Sequence, residues 1–330
     1  MGSIGRVGIV GAGLAGLAAA RTLVAAGRDV VVFDREAVPG GRLTSLSLGE
    51  FTFDPGATSI APFDAALGRV IQNELDTTDL VVIDKPVYLH DGFRTSPRGV
   101  TASSVKRFVY SHGIRRLPSL LSSGLDLRLG CRIDSFESHS DDSYSLEGES
   151  FDAIVIAIPS PIAMDLLFKS GDPRRLSNVK FRTCLSLCLG FETPLEPPYH
   201  ALVGPDQTHP LSWLSVESAK CPGRAPDGQT ALVAQMSAEY SLRRFDLDDD
   251  LIIEETLIDV SRLLGKGFSV PVVSKVVRFQ YSHPETTATF ESVNSPLSRV
   301  VIAGDGLMAG RTELAYETGT RAAHLLLDQS

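Results

Sequence analysis

Cysteine is scarce in this sequence, and that scarcity already narrows its chemistry. Four cysteines occur in 330 residues, Cys131, Cys184, Cys188 and Cys221. None forms a CxxC pair or a Cys/His ligand spacing, so neither a structural zinc site nor a dithiol redox centre is expected, and the thiols read as reduced and buried. Basic runs are also missing. Lys and Arg number 31 against 40 acidic residues, a net charge of −9, which disfavours a nucleic-acid backbone or an anionic membrane as the main partner and points to a small-molecule ligand. No apolar run reaches spanning length: the stretch Val7 to Ala20 ends at Arg21, and five glycines punctuate Ile4 to Gly16. That stretch reads as fold rather than as a leader, which sets the expectation of a cytoplasmic protein without a membrane segment.

What is present is enough apolar sequence, 43%, for one large or two modest cores. Val7 to Val10 is a β-branched run followed by Gly11-Ala12-Gly13-Leu14-Ala15-Gly16, an Ala/Leu-rich stretch to Ala26, and Gly27. This order predicts strand, tight turn, helix and C-cap. A second apolar strand, Val30 to Phe33, ends in Asp34 and completes a βαβ unit. Ala153 to Ile158 and Val300 to Ala303 are continuous apolar runs of the kind that parallel strands show when both faces are covered. Between them, Phe181 to Phe279 has another texture, with alternating or apolar stretches separated by Pro/Gly-rich loops, which predicts an inserted and mostly antiparallel domain. Asp246 to Glu255 opens a helix that runs to Leu264 and packs on that sheet, and the polar segment Glu137 to Ser150 reads as a hairpin tip.

The fold class expected is therefore α/β, a doubly wound Rossmann-type dinucleotide-binding domain carrying an inserted α+β substrate domain. The glycine fingerprint supplies the mechanism. Its first glycine permits the turn, its second lets backbone approach a pyrophosphate, its third lets helix and strand close up, and the N–H groups of Leu14 and Ala15 face the anion. Asp34, with Arg35 beside it, lies 23 residues after Gly11, where a carboxylate at the end of the second strand accepts ribose hydroxyls. Gly40-Gly41-Arg42 would bring a guanidinium to the pyrophosphate from the other side.

With that continuation the sequence resembles the flavin-containing amine oxidase superfamily, and further matches cover nearly the whole chain. Phe53-Asp54-Pro55-Gly56-Ala57-Thr58 is similar to the loop that passes the flavin ring in that superfamily, and Ile133, read as the start of a strand, matches the position whose backbone meets adenine. Gly304-Asp305 with Gly310, Glu313, Leu314, Ala315 and Gly319 resembles its closing motif. By that resemblance Asp305 would hold the ribityl chain, and a helix starting near Thr312 would point its positive end at the flavin. The implied cofactor is FAD. No cysteine follows Cys221, so the flavin is expected to be noncovalent, and no metal is implied. The implied layout is discontinuous, with an FAD-binding domain from 1–60, 100–165 and 293–330 and a substrate domain from 61–99 and 166–292.

Within the superfamily the chain is similar to renalases. Leu211-Ser212-Trp213-Leu214 with Lys220-Cys221-Pro222-Gly223-Arg224, and Asp152 to Pro161 with Leu166-Leu167, carry that likeness. Phe279-Gln280-Tyr281-Ser282-His283-Pro284 stands where renalases commonly have Trp-Arg-Tyr-Ala-x-Pro, so a neutral amide replaces an arginine. Gln280, Tyr281 and Trp213 are the candidate substrate-face residues, although Trp213 also fits a core aromatic, and His90, His112 and His283 fit loop or surface histidines. The resemblance implies hydride transfer to flavin N5 from a dihydronicotinamide isomer of NAD(P)H, with O2 as acceptor and hydrogen peroxide as product. Two alternatives stand beside it: oxidation or desaturation of an amine or other small organic substrate, and a noncatalytic FAD-binding protein. The stretch Thr183 to Phe191 contains no lysine, which argues against the ordinary amine case, and Gly265-Lys266-Gly267 does not make a second dinucleotide fingerprint.

Overall fold

Two β-branched runs separated by one helix length leave a parallel pair as the favoured arrangement, and the computed structural model, which describes residues 3–61, 66–99, 106–204 and 209–329, has it. Strands β1 (Arg6–Val10) and β2 (Asp29–Asp34) pair in parallel, with Val7 beside Val30 and Val10 beside Phe33, and the helix Leu14–Ala25 joins them. A hairpin follows, β3 (Leu46–Leu48) with β4 (Phe51–Phe53). Next come β5 (Leu80–Ile83), β6 (Val87–His90), β7 (Thr95–Pro97) and β8 (Arg107–Tyr110). Then β9 (Asp126–Leu129) leads through a meander of β10 (Glu137–Ser138), β11 (Tyr144–Leu146) and β12 (Glu149–Phe151) into β13 (Ala153–Ile156). The rest of the chain supplies β14 (Phe181–Phe191), β15 (Ala201–Val203), β16 (Leu211–Val216), β17 (Thr230–Met236), β18 (Val273–Pro284) and β19 (Val300–Ile302).

The first sheet has the order β19-β13-β1-β2-β9, every neighbour parallel. Its strands are buried almost throughout, as continuous apolar runs require. The helices Leu14–Ala25 and Thr312–Leu327 pack against each other on it, and the meander touches it through Leu146 and Phe151, which lie against Gly8. The second sheet has the order β18-β14-β17-β16-β15-β6-β7, antiparallel except where β15 meets β6. Leu185, Leu187, Leu189 and Leu232 fill one side of it together with Ile252 and Val260 of the helix Asp249–Leu264. Among the described residues no helix is long and apolar enough to cross a membrane.

Five expectations are corrected here. The helix Ala66–Asn73 buries Leu67, Val70 and Ile71 in the first core, and β5 pairs with β8, so among the described residues of the segment 61–99 only β6 and β7 join the second sheet. Leu166, Leu167, Leu176, Val179 and Phe290 also belong to the first core, which moves the crossings between layers to about 180 and 285 in place of 166 and 292. Ile133 starts no strand: it follows β9 in an extended segment, which the amides of Gly130 and Cys131 tie to the carbonyls of Glu36 and Asp34. The segment Glu137 to Ser150 forms two successive hairpins, not one tip. His90, expected on a loop, ends β6 and is buried.

Candidate active site and cofactor cleft

The C-terminal ends of β1, β2 and β13 open into a cleft of about 1160 Å³ that continues to the bulged end of β18. A crevice at the carboxyl ends of parallel strands is where such sheets bind ligands. At the end beside the glycine fingerprint the Gly11 amide donates to the Phe33 carbonyl (2.7 Å), and Gly11 holds φ +108°, with the Ala157 carbonyl oxygen only 2.6 Å from where a Cβ would sit. Any side chain there would close the turn. The Asp34 carboxylate accepts from the amides of Ala12 (2.6 Å) and Glu36 (2.8 Å). Burial pushes its pKa up, and those two bonds offset part of the rise. Gly40 donates to the Ala12 carbonyl (2.9 Å), which docks the second glycine turn onto the first.

These features fit the diphosphate of a dinucleotide. Gly13 presents open space where a Cβ would be, no side chain caps the helix it starts, and Gly13, Leu14, Ala15, Arg35 and Gly41 line the cleft, as does Ile133. Uncapped N–H groups at a helix start opening onto a cleft make an anion site. Ala12 and Gly16 are set behind this surface, with Gly16 against the Gly11 carbonyl.

Arg42 and Asp305, expected on separate parts of the cofactor, form one unit. Arg42 Nη1 and Nη2 donate to Asp305 Oδ2 (2.7 Å) and Oδ1 (2.8 Å), and Nη1 also reaches the Ser282 carbonyl (3.0 Å). Both line the cleft, so a guanidinium and a carboxylate are presented there as a planar, mutually neutralised pair. The helix Thr312–Leu327 begins at the cleft with Thr312 and Ala315, whereas Glu313 is buried in an ion pair with Arg311 and Leu314 does not line the cleft.

The loop Asp54 to Thr58 is held from beneath by charge. Asp54, Glu217, Lys220 and Arg224 have fully buried side chains. Lys220 Nζ lies 3.0 Å from Asp54 Oδ2, 2.6 Å from Glu217 Oε2 and 2.9 Å from the Thr58 carbonyl, and Arg224 Nη2 is 2.9 Å from Asp54 Oδ2. The two signs balance, which is what lets four such groups lie out of water. Gln235 of β17 adds a clamp, donating from Nε2 to the carbonyls of Pro55 (2.9 Å) and Gly56 (2.6 Å). Gly56 and Ala57 line the cleft; Thr58 does not. Gln235 was missed by the sequence reading, since nothing in an alternating strand distinguishes it. Lys220 and Arg224 were noted there only as a likeness, and the nearby acidic Glu217 was the available signal.

At the β18 end of the cleft, Arg182 pairs with His283 and Cys184 with Phe279, so Gln280, Tyr281 and Ser282 all oppose the single residue Thr183. Such a bulge re-aims side chains, and Gln280 and Tyr281 both reach the cleft, Gln280 at its exposed rim. The Tyr281 ring meets Phe181 edge-on at 6.1 Å. Trp213 is not brought to the cleft; its neighbour Ser212 lines it instead. His283 packs against Gly310, and burial, then the charge of Arg182, push its pKa down. His112 lies at the surface near Asp79. All four cysteines are free, and burial raises the Cys184 thiol to about 12.

Comparison with known proteins agrees with this geometry. Residues 94–327 match the family model for flavin containing amine oxidoreductase, and residues 9–73 match an NAD(P)-binding Rossmann-like domain. A phytoene dehydrogenase of Streptomyces griseus is 46% identical over 81 residues, a stretch covering 23% of this chain and 16% of that protein. The fold is shared with cyclohexylamine oxidase from Brevibacterium oxydans IH-35A (TM-score 0.75, 12% identity, 99% of each chain). It is shared also with UDP-galactopyranose mutase (TM-score 0.77, 14% identity, 100% of this chain and 95% of that one). The chain belongs to the flavin containing amine oxidoreductase family, with FAD as its cofactor.

Proposed function

We propose that the protein oxidises a small dihydronicotinamide-type substrate, with net conversion of the dihydronicotinamide, O2 and one proton to the nicotinamide cation and hydrogen peroxide. FAD supplies the two-electron acceptor at N5 and the path from there to O2. The observation that carries the reading is the bulge in β18, which places Gln280 and Tyr281 in the cleft opposite Thr183 on a strand stretch without lysine. A hydride leaving a ring carbon needs no group to take a proton from it, and the described cleft lining contains no lysine that could do so. Arg42, Asp305 and the uncapped helix start at Leu14 would hold the cofactor, and the loop fixed by Gln235 and Lys220 would set its position. Tyr281, backed edge-on by Phe181, would wall the reacting face and keep water from it. The likeness of the Lys220 to Arg224 and Asp152 to Pro161 stretches to renalases supports the same substrate class.

Anaerobic mixing of the flavin-loaded protein with dihydronicotinamide isomers and with primary amines tests this. Bleaching of the flavin by a dihydronicotinamide, followed by peroxide release when air is admitted, is expected. Bleaching by amines alone, or by neither class, would overturn it.

A further inference from the structure

The arginines that line the cleft differ in one respect. Arg35 pairs with Glu36, Arg42 with Asp305, Arg132 with Asp134, Arg278 with Asp249 and Arg311 with Glu313. Arg182 has no side-chain hydrogen bond or ion pair among the described residues, although it is only partly exposed. A guanidinium withdrawn from water gains most from a planar anion that it can meet with two parallel bonds.

Its place in the fold gives the direction. Arg182 sits opposite His283 across the β14–β18 ladder, and directly opposed residues project on the same face. His283 lines the cleft, and the Arg182 charge acts on it. The next residue, Thr183, lines the cleft too and has a buried hydroxyl without a partner, a donor left available beside the guanidinium. With Arg42 neutralised by Asp305, Arg182 leaves this end of the cleft with a net positive charge. A protonated amine would be repelled there.

We infer that Arg182 is a specificity-determining residue that fixes an anionic group of the substrate, a phosphate or a carboxylate, next to Tyr281. This rests on the proposed oxidation of a dihydronicotinamide. Gln280 leaves β18 with a neutral amide where renalases commonly have an arginine, and the neighbouring strand supplies that positive charge through Arg182. The same chemistry would suit the diphosphate of FAD, so the test must separate the two sources.

The test uses the flavin-loaded wild type with Arg182→Ala and Arg182→Lys, following flavin absorbance as nicotinamide mononucleotide, or nicotinamide riboside without its phosphate, is added. The wild type should bind the phosphorylated ligand about tenfold to a hundredfold more tightly, the scale of one charge-assisted contact, with the preference shrinking as salt is raised. Arg182→Ala should lose the preference and keep its affinity for FAD, and Arg182→Lys should recover part of it. A preference unchanged in Arg182→Ala overturns the inference, and so does a parallel loss of FAD, which would assign Arg182 to the cofactor. If neither nicotinamide ligand perturbs the wild-type flavin, the dihydronicotinamide reading fails by itself. Benzoate against benzamide then makes the same comparison of charged and neutral ligand. An Arg182-dependent preference for benzoate upholds the inference, and its absence overturns it.

Discussion

Arg42 and Asp305 lie 263 residues apart, yet they meet in a two-pronged ion pair at the cleft. A nearly buried carboxylate such as Asp305, 9% exposed at its side chain, needs that counter-charge. On the proposal that Arg42 holds the cofactor, replacing it by Ala removes that contact and strands Asp305, so FAD should be held more weakly by about 1.5–3 kcal/mol. Lysine at position 42 should recover little, because a point charge cannot reproduce the planar fork. If the two residues act as one unit, Arg42→Ala with Asp305→Asn should cost less than the sum of the single changes, by about 0.5–3 kcal/mol. Flavin fluorescence on release from the protein measures each of these affinities. Equal affinities, or strict additivity, would show that the pair does not serve the cofactor.

The contact between the helices Leu14–Ala25 and Thr312–Leu327 depends on glycine. A Cβ on Gly319 would stand 2.0 Å from the Ala15 carbonyl oxygen and 2.8 Å from its carbon, and backbone at a helix start cannot give way cheaply. Gly319→Ala should therefore destabilise the protein by about 1–3 kcal/mol, the cost of overpacking, and shift the helix start that borders the cleft. Urea unfolding of the FAD-free protein gives the stability, and FAD binding reports the shift; an unchanged midpoint would count against it. At this scale much was legible. The runs at Val7, Val30, Ala153 and Val300 became the neighbouring strands β1, β2, β13 and β19, because burial on both faces leaves no other pattern, and the fingerprint placed the first helix start correctly. The β18 bulge was not legible, since it exists only in the register between residues 182–184 and 279–283, about a hundred positions apart. That register decides that Tyr281 reaches the cleft, and Trp213's absence from it likewise depends on how β16 is seated. The helix Ala66–Asn73 misled for a related reason: its apolar stripe of Leu67, Val70 and Ile71 fits either core, and only tertiary packing chooses.

Across the whole molecule the buried quartet of Asp54, Glu217, Lys220 and Arg224 joins the loop Asp54 to Thr58 to the second sheet, and it sets a distinctive pH response. Burial raises the pKa of Asp54, but Lys220 and Arg224, together with hydrogen bonds from the Ile114 amide and the Ser45 hydroxyl, pull it down further, so the net shift is below the ordinary value. A carboxyl whose pKa is lower folded than unfolded contributes stability that is complete above the unfolded value, about 3.9, and is lost as pH falls through the folded one. His200 complicates the raw curve. Burial lowers its pKa to about 4, so the unfolded chain takes up a proton there between pH 6.5 and 4, and stability falls across that window by up to about 3 kcal/mol. Taking the difference between wild type and Asp54→Asn removes that contribution, because His200 is common to both. Asp54→Asn leaves Lys220 and Arg224 facing Glu217 alone in a dry site and should cost about 3–5 kcal/mol near neutrality. That difference should stay level from pH 7 to about 5 and shrink below about pH 4, as protonation of the wild-type carboxyl removes what the substitution removed. Denaturant unfolding across the range reads it directly. A difference that shrank between pH 7 and 5 would mean that Asp54 titrates as an isolated buried acid, with its charge unsupported by the two cations.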